Sequence, residues 1–81
     1  MKNAYHNPIL NAIPEGETIT VHTANGLMHT GTDDTSADEV AKGLFVLYAR
    51  ADNADLEGCK ANRKTYLSAA SVVGFDVEYD V

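Results

Sequence analysis

The chain has one cysteine, Cys59, in 81 residues. A single thiol makes neither an intrachain disulfide nor a paired-cysteine zinc site, so a framework stapled by either is excluded and a reducing, cytoplasmic setting is the expectation. Basic side chains are scarce too: six Lys and Arg stand against twelve Asp and Glu, a formal charge of -6. Such a field repels phosphate backbones and anionic lipid, so direct binding to nucleic acid or membrane is not expected. No run approaches the roughly 20 apolar residues of a membrane helix. The start, Met1-Lys2-Asn3-Ala4-Tyr5-His6-Asn7-Pro8, lacks the apolar stretch of a signal peptide. GxSxG, the Walker loop, HExxH and GxGxxG are all missing, and Asp52 to Gly58 misses the spacing of a calcium-binding EF-hand loop. Cys59 falls on the apolar face of a predicted helix, where a thiol is buried and inert. Neither an enzyme nor a cofactor is expected.

What is present has an ordinary globular balance, 44% hydrophobic and 22% charged. That length and composition predict a single domain over 1–81, burying about 60 to 65% of the unfolded surface. Both prolines, Pro8 and Pro14, lie in the first 16 residues among Asn3, Asn7, Asn11 and Gly16. Proline removes a backbone donor and restricts the residue before it. Residues 1–16 therefore read as an irregular arm whose apolar side chains dock on a compact core formed by 17–81.

Glu17 to Thr23 is rich in β-branched residues, and Leu27 to Thr32 follows it after Ala24-Asn25-Gly26. Asn-Gly suits the two positive-φ positions of a type I′ turn, so a hairpin is predicted. With a two-residue loop, Thr23 faces Met28, His22 faces His29 and Val21 faces Thr30. The core face then carries Ile19, Val21, Thr23, Met28 and Thr30.

A helix start follows at Asp33-Asp34-Thr35-Ser36-Ala37-Asp38-Glu39, where Thr35 or Ser36 can cap and acids suit the positive end of the dipole. Val40, Ala41, Leu44, Leu47, Tyr48 and Ala51 recur at helical spacing, predicting a helix to about residue 51 with Gly43 inside it. A second helix is predicted from Asp55, with Leu56, Cys59, Tyr66, Leu67, Ala70 and Val73 toward one face and Gly74 as its left-handed terminator. From Phe75 to Val81 apolar and acidic residues alternate, the mark of a strand with one wet face. The fold class expected is α+β in the order ββααβ: a hairpin, two helices and a C-terminal strand, the helices covering one face of a three-stranded, mainly antiparallel sheet.

Two groups of side chains carry candidate chemistry. Asp76, Glu78 and Asp80 would lie about 6.7 Å apart along one strand face. Together with Asp33, Asp34, Asp38 and Glu39 they can present acceptors to arginines and lysines, as a nucleic-acid backbone does. His22 and His29, opposed across the hairpin, can share a transition metal. Lys60, Arg63 and Lys64 sit on the second predicted helix as a smaller basic face. The expected function is a small acidic binding module, an inhibitor or regulator that docks on a basic, nucleic-acid-handling protein by charge mimicry. Its size and charge resemble those of phage and other mobile-element regulators. The alternatives are a metal- or small-ligand-binding module at His22 and His29, and a structural protein that self-associates, as a homodimer, through an open strand edge.

Overall fold

The computed structural model describes residues 4–50 and 62–78. Five six-residue strands, β1 (Thr18–Thr23), β2 (Met28–Asp33), β3 (Leu44–Ala49), β4 (Arg63–Ser68) and β5 (Val72–Val77), form one sheet in the order β4-β3-β2-β1-β5. Every neighbouring pair is antiparallel. The helices are short: α1 (Pro8–Asn11) and α2 (Ala37–Ala41), with a single 3₁₀ turn at Ala69–Ser71 between β4 and β5.

The expected ββααβ architecture with three strands is thus overturned, and the reasons are local. Ser36 caps α2, its hydroxyl accepting from the Glu39 N–H while the Glu39 carboxylate accepts from the Ser36 N–H. Gly43 ends the helix rather than interrupting it. At φ +78° it takes the left-handed conformation that glycine adopts without penalty, just past the Lys42 cap. Beyond it, Leu44 to Tyr48 is an uninterrupted apolar run with no polar side to hold toward water. Such a run suits a strand covered on both faces better than a surface helix. Phe45, Val46 and Leu47 are accordingly all buried.

The second predicted helix is overturned as well. Its first part, including Asp55, Cys59 and Lys60, lies outside the described residues, and the rest is β4, the 3₁₀ turn and β5. In β4 the exposed Lys64, Tyr66 and Ser68 alternate with the half-buried Thr65 and Leu67, a period of two. Gly74 is an ordinary strand residue without positive φ. The C-terminal strand begins at Val72 and lies beside β1, antiparallel to it.

The hairpin forms with a register one residue away from the predicted one. Thr23 N–H donates to Leu27 C=O and Gly26 N–H to Thr23 C=O, leaving Ala24, Asn25 and Gly26 as a three-residue loop. Only Gly26 has positive φ, +87°, so a type I′ turn is ruled out in favour of a turn closed by a glycine bulge. His22 consequently opposes Met28, and Val21 opposes His29. A one-residue slip exchanges the faces of a strand. Met28 and Thr30 point outward, whereas His29 and Gly31 share the face of Ile19 and Val21.

The sheet is rolled. Laid flat, its outer strands would be about 19 Å apart, yet only three residues separate Ser68 of β4 from Val72 of β5, a reach of at most about 14 Å. Gly31 allows β2 to turn close beneath β3; a Cβ there would stand 2.8 Å from the Tyr48 carbonyl oxygen. Inside the roll lie Ile19, Val21, Phe45, Leu47 and Val72, closed from one side by Tyr5, Leu10 and Ile13 of the N-terminal segment. Tyr5 meets Phe45 edge to face at 5.8 Å between ring centroids.

Candidate functional site

The outward face of β5 and β1 is built by the alternation that fills the core. Thr18, Thr20 and His22 on β1 point away from Ile19 and Val21, and Asp76, level with Thr20, joins them. His22 Nε2–H donates to Asp76 Oδ2 at 2.7 Å across the two strands. One step past the last paired residues, Ile19 and Val77, Thr18 comes level with Glu78. Asp76 and Glu78 are both exposed, as is Glu17 immediately before β1. Asp80 lies outside the described residues. On β2 the same face carries Thr30 and Thr32, giving a block of four threonines with the Thr20 and Thr30 hydroxyls 3.0 Å apart.

The acids around α2 serve the fold and do not extend that row. Asp33 points to the core side, where its carboxylate accepts from the Thr35 N–H (3.1 Å), the Thr35 hydroxyl (2.8 Å) and the Tyr5 hydroxyl (3.3 Å). Asp34 pairs with Lys64 at 3.3 Å, and that hydrogen bond with its charge raises the Lys64 pKa above its ordinary value. Glu39 is held below the usual carboxylate range, chiefly by the Ser36 backbone N–H of the capping box. Asp38 is exposed in the first turn of α2. Asp33 and Glu39 are thus taken up by the turn and the cap and Asp34 by Lys64 at the far side of the sheet, while Asp76, bonded to His22, and Glu78 stand exposed together at the β5 side.

His22 and His29 do not meet. Their strands pair, but the register places them on opposite faces, His22 bonded to Asp76 and His29 lining a shallow pocket with Leu27 and Leu67. Among the described residues no group of three or more His, Cys, Asp or Glu converges on a point that could hold a metal ion. Arg63 and Lys64 lie on β4, and Lys60 is outside the described residues.

Two features escaped sequence reasoning. An open, largely apolar groove of about 800 Å³ runs between α1, α2 and the 3₁₀ turn, with Ile9, Val40, Ala69 and Val73 in its walls and Lys42 and His6 at its margin. Asn7 holds it together, its carbonyl oxygen capping Ile9 N–H and its amide donating to the Ala69 and Val72 carbonyls at 2.9 and 3.0 Å. The second feature is the unpaired side of β5. Thr23 N–H points to β2, and alternation along β1 then turns Thr20 and His22, with Asp76 and Gly74 opposite them, into the β1–β5 ladder. A bulge between His22 and Thr23 interrupts the alternation at Val73, and beyond it the backbone groups of Phe75 and Val77 point out of the sheet, on the side where β5 has no neighbouring strand among the described residues. An Asn7 capping signature was present in Asn7-Pro8, whereas the β5 edge depends on strand order, which the sequence leaves open.

Among the described residues no helix is long and apolar enough to cross a membrane. Comparison of the chain with protein-family models, with curated proteins and with solved structures finds no match in any of the three.

Proposed function

We propose that this protein is a binding module that docks on another protein bearing a basic, nucleic-acid-handling surface and regulates it by occupying the arginines and lysines that otherwise hold phosphates. The observation that carries the reading is the exposure of Asp76 on an edge strand and of Glu78 immediately after it, in a chain whose formal charge is -6. Carboxylates on a rigid strand are preordered acceptors, which favours charge-assisted hydrogen bonds with guanidinium and ammonium groups. Long-range attraction adds speed to the encounter and makes it salt-sensitive.

The test starts from capture on immobilised wild-type protein in a lysate of the native host, beside a variant carrying Asp76→Asn and Glu78→Gln. The expected result is a basic protein retained by the wild type, lost from the variant and displaced by added DNA or RNA fragments. A retained partner that is neutral or acidic, or one that both baits hold equally in the presence of nucleic acid, would refute the reading. The exposed His22–Asp76 pair is worth at most about 1 kcal/mol, so the variant remains folded and loss of binding is not loss of structure.

A further inference from the structure

We infer that the partner contributes an extended segment of alternating basic and apolar residues, which adds to the sheet as a sixth strand along β5. This rests on the basic-partner reading above and specifies the form the contact takes. An unpaired strand edge is a template for another strand, with main-chain hydrogen bonds giving affinity and alternate side chains giving specificity. On β5 the outward N–H and C=O groups are those of Phe75 and Val77, while the Asp76 and Glu78 side chains stand on the solvent face beside them.

Charge decides which edge is used. The opposite edge, β4, carries Arg63 and Lys64, so a basic segment is repelled there and attracted to β5. A second copy of β5 would set Asp76 and Glu78 against like charges, which disfavours self-pairing at this edge. Lysines or arginines placed level with Asp76 and Glu78 lie within reach of their carboxylates, and the intervening apolar residues extend the inner face beyond Phe75 and Val77.

The groove gives the added strand a place to end. Val73, the bulged residue near the start of β5, is 55% exposed and lines the groove wall. At the start of the edge Asn7 already satisfies the Val72 carbonyl. A segment laid along Val77 to Val73 therefore reaches Ile9, Val40 and Ala70, where an apolar terminal residue is covered.

A synthetic peptide of alternating lysine and valine, ending in leucine, is a direct probe, read by amide hydrogen exchange and NMR shifts on the full chain. The expected result is new protection of the Phe75 and Val77 amides and about tenfold weaker binding by Val77→Pro, which removes an outward donor at a position where an edge strand tolerates proline. A peptide N-methylated at alternate residues keeps the charge but cannot join the ladder, and it should bind far more weakly. Equal binding by the methylated peptide would overturn the added strand while leaving the basic-partner reading intact. Equal binding by a serine-for-lysine peptide would overturn the charge requirement, and with it that reading. Protection of the same amides by protein concentration alone would overturn the proposal in favour of a second copy. Because protection is read on the wild type, the outcome does not depend on the proline variant folding.

Discussion

Gly31 and Gly74 are both strand residues without positive φ, yet one extra methyl group should act on them in opposite ways. At Gly31 a Cβ meets the Tyr48 carbonyl oxygen at 2.8 Å and the Leu47 Cβ at 3.2 Å. Gly31→Ala should therefore cost about 1 to 3 kcal/mol by overpacking. At Gly74 nothing lies within 4 Å of the added atom. Gly74→Ala should stabilise by about 0.4 to 1 kcal/mol, because the unfolded chain loses freedom that the strand does not use. Thermal unfolding measures both, since 1 kcal/mol moves the midpoint by about 4 to 8 °C in a domain of this size. The Ser36–Glu39 capping box gives a pH signature. The Glu39 pKa is lowered from 4.5 in the fold, so its stabilisation is complete above that value and disappears as the pH falls through the folded one. Glu39→Gln should remove this acid-side dependence, whereas Ser36→Ala, which keeps the backbone N–H that lowers the Glu39 pKa, should cost about 1 kcal/mol at neutral pH and leave most of the dependence in place; denaturant melts across the acid range check both.

At the scale of elements, the N-terminal segment is part of the core and not merely attached to it. Leu10 is completely buried on α1, so Leu10→Ala should cost about 2 to 5 kcal/mol in a denaturant titration, as much as a substitution in the strands. The sequence carried some of the fold plainly. The β-branched β1, the Ser36 cap and the alternation of Phe75 to Val77 were legible because each depends on residues close along the chain. Gly43 was legible only with its neighbours: read as a helix interior it suggested a long helix, but the apolar run that follows marks it as the end of one. Tyr66, Leu67, Ala70 and Val73 fit a helical stripe by spacing, and the strand pairings of β4 and β5 overrode that pattern. The hairpin register turned on whether Asn25 joined Gly26 in taking positive φ, and one residue of difference moved Met28 out, His29 in and the two histidines apart. For the candidate site, Asp76 and Glu78 were visible as an alternating row. The His22–Asp76 pair and the open side of β5 were not, because both depend on which strand becomes the neighbour of β1.

Over the whole molecule, a formal charge of -6 is distributed unevenly in its consequences. Carboxylates at Asp33, Asp34 and Glu39 are held by hydrogen bonds or a lysine around α2 and the start of β4, whereas Asp76, paired with His22 but still largely exposed, and the exposed Glu78 lie on and just past the edge strand where another chain can reach them. Net charge alone would attract any basic protein; a docking site attracts through particular positions. Two double variants separate these cases, one carrying Asp76→Asn with Glu78→Gln and the other Glu15→Gln with Asp38→Asn, each removing two carboxylates. The decisive measurement is calorimetric titration of the captured basic partner with the wild type and both variants from about 0.01 M to about 1 M salt, over which the screening length falls from about 30 to 3 Å. Affinity should fall steeply with salt, and only the Asp76 and Glu78 variant should bind at least tenfold more weakly at low salt. Equal weakening by both variants, or an affinity that salt leaves unchanged, would contradict docking through the β5 carboxylates.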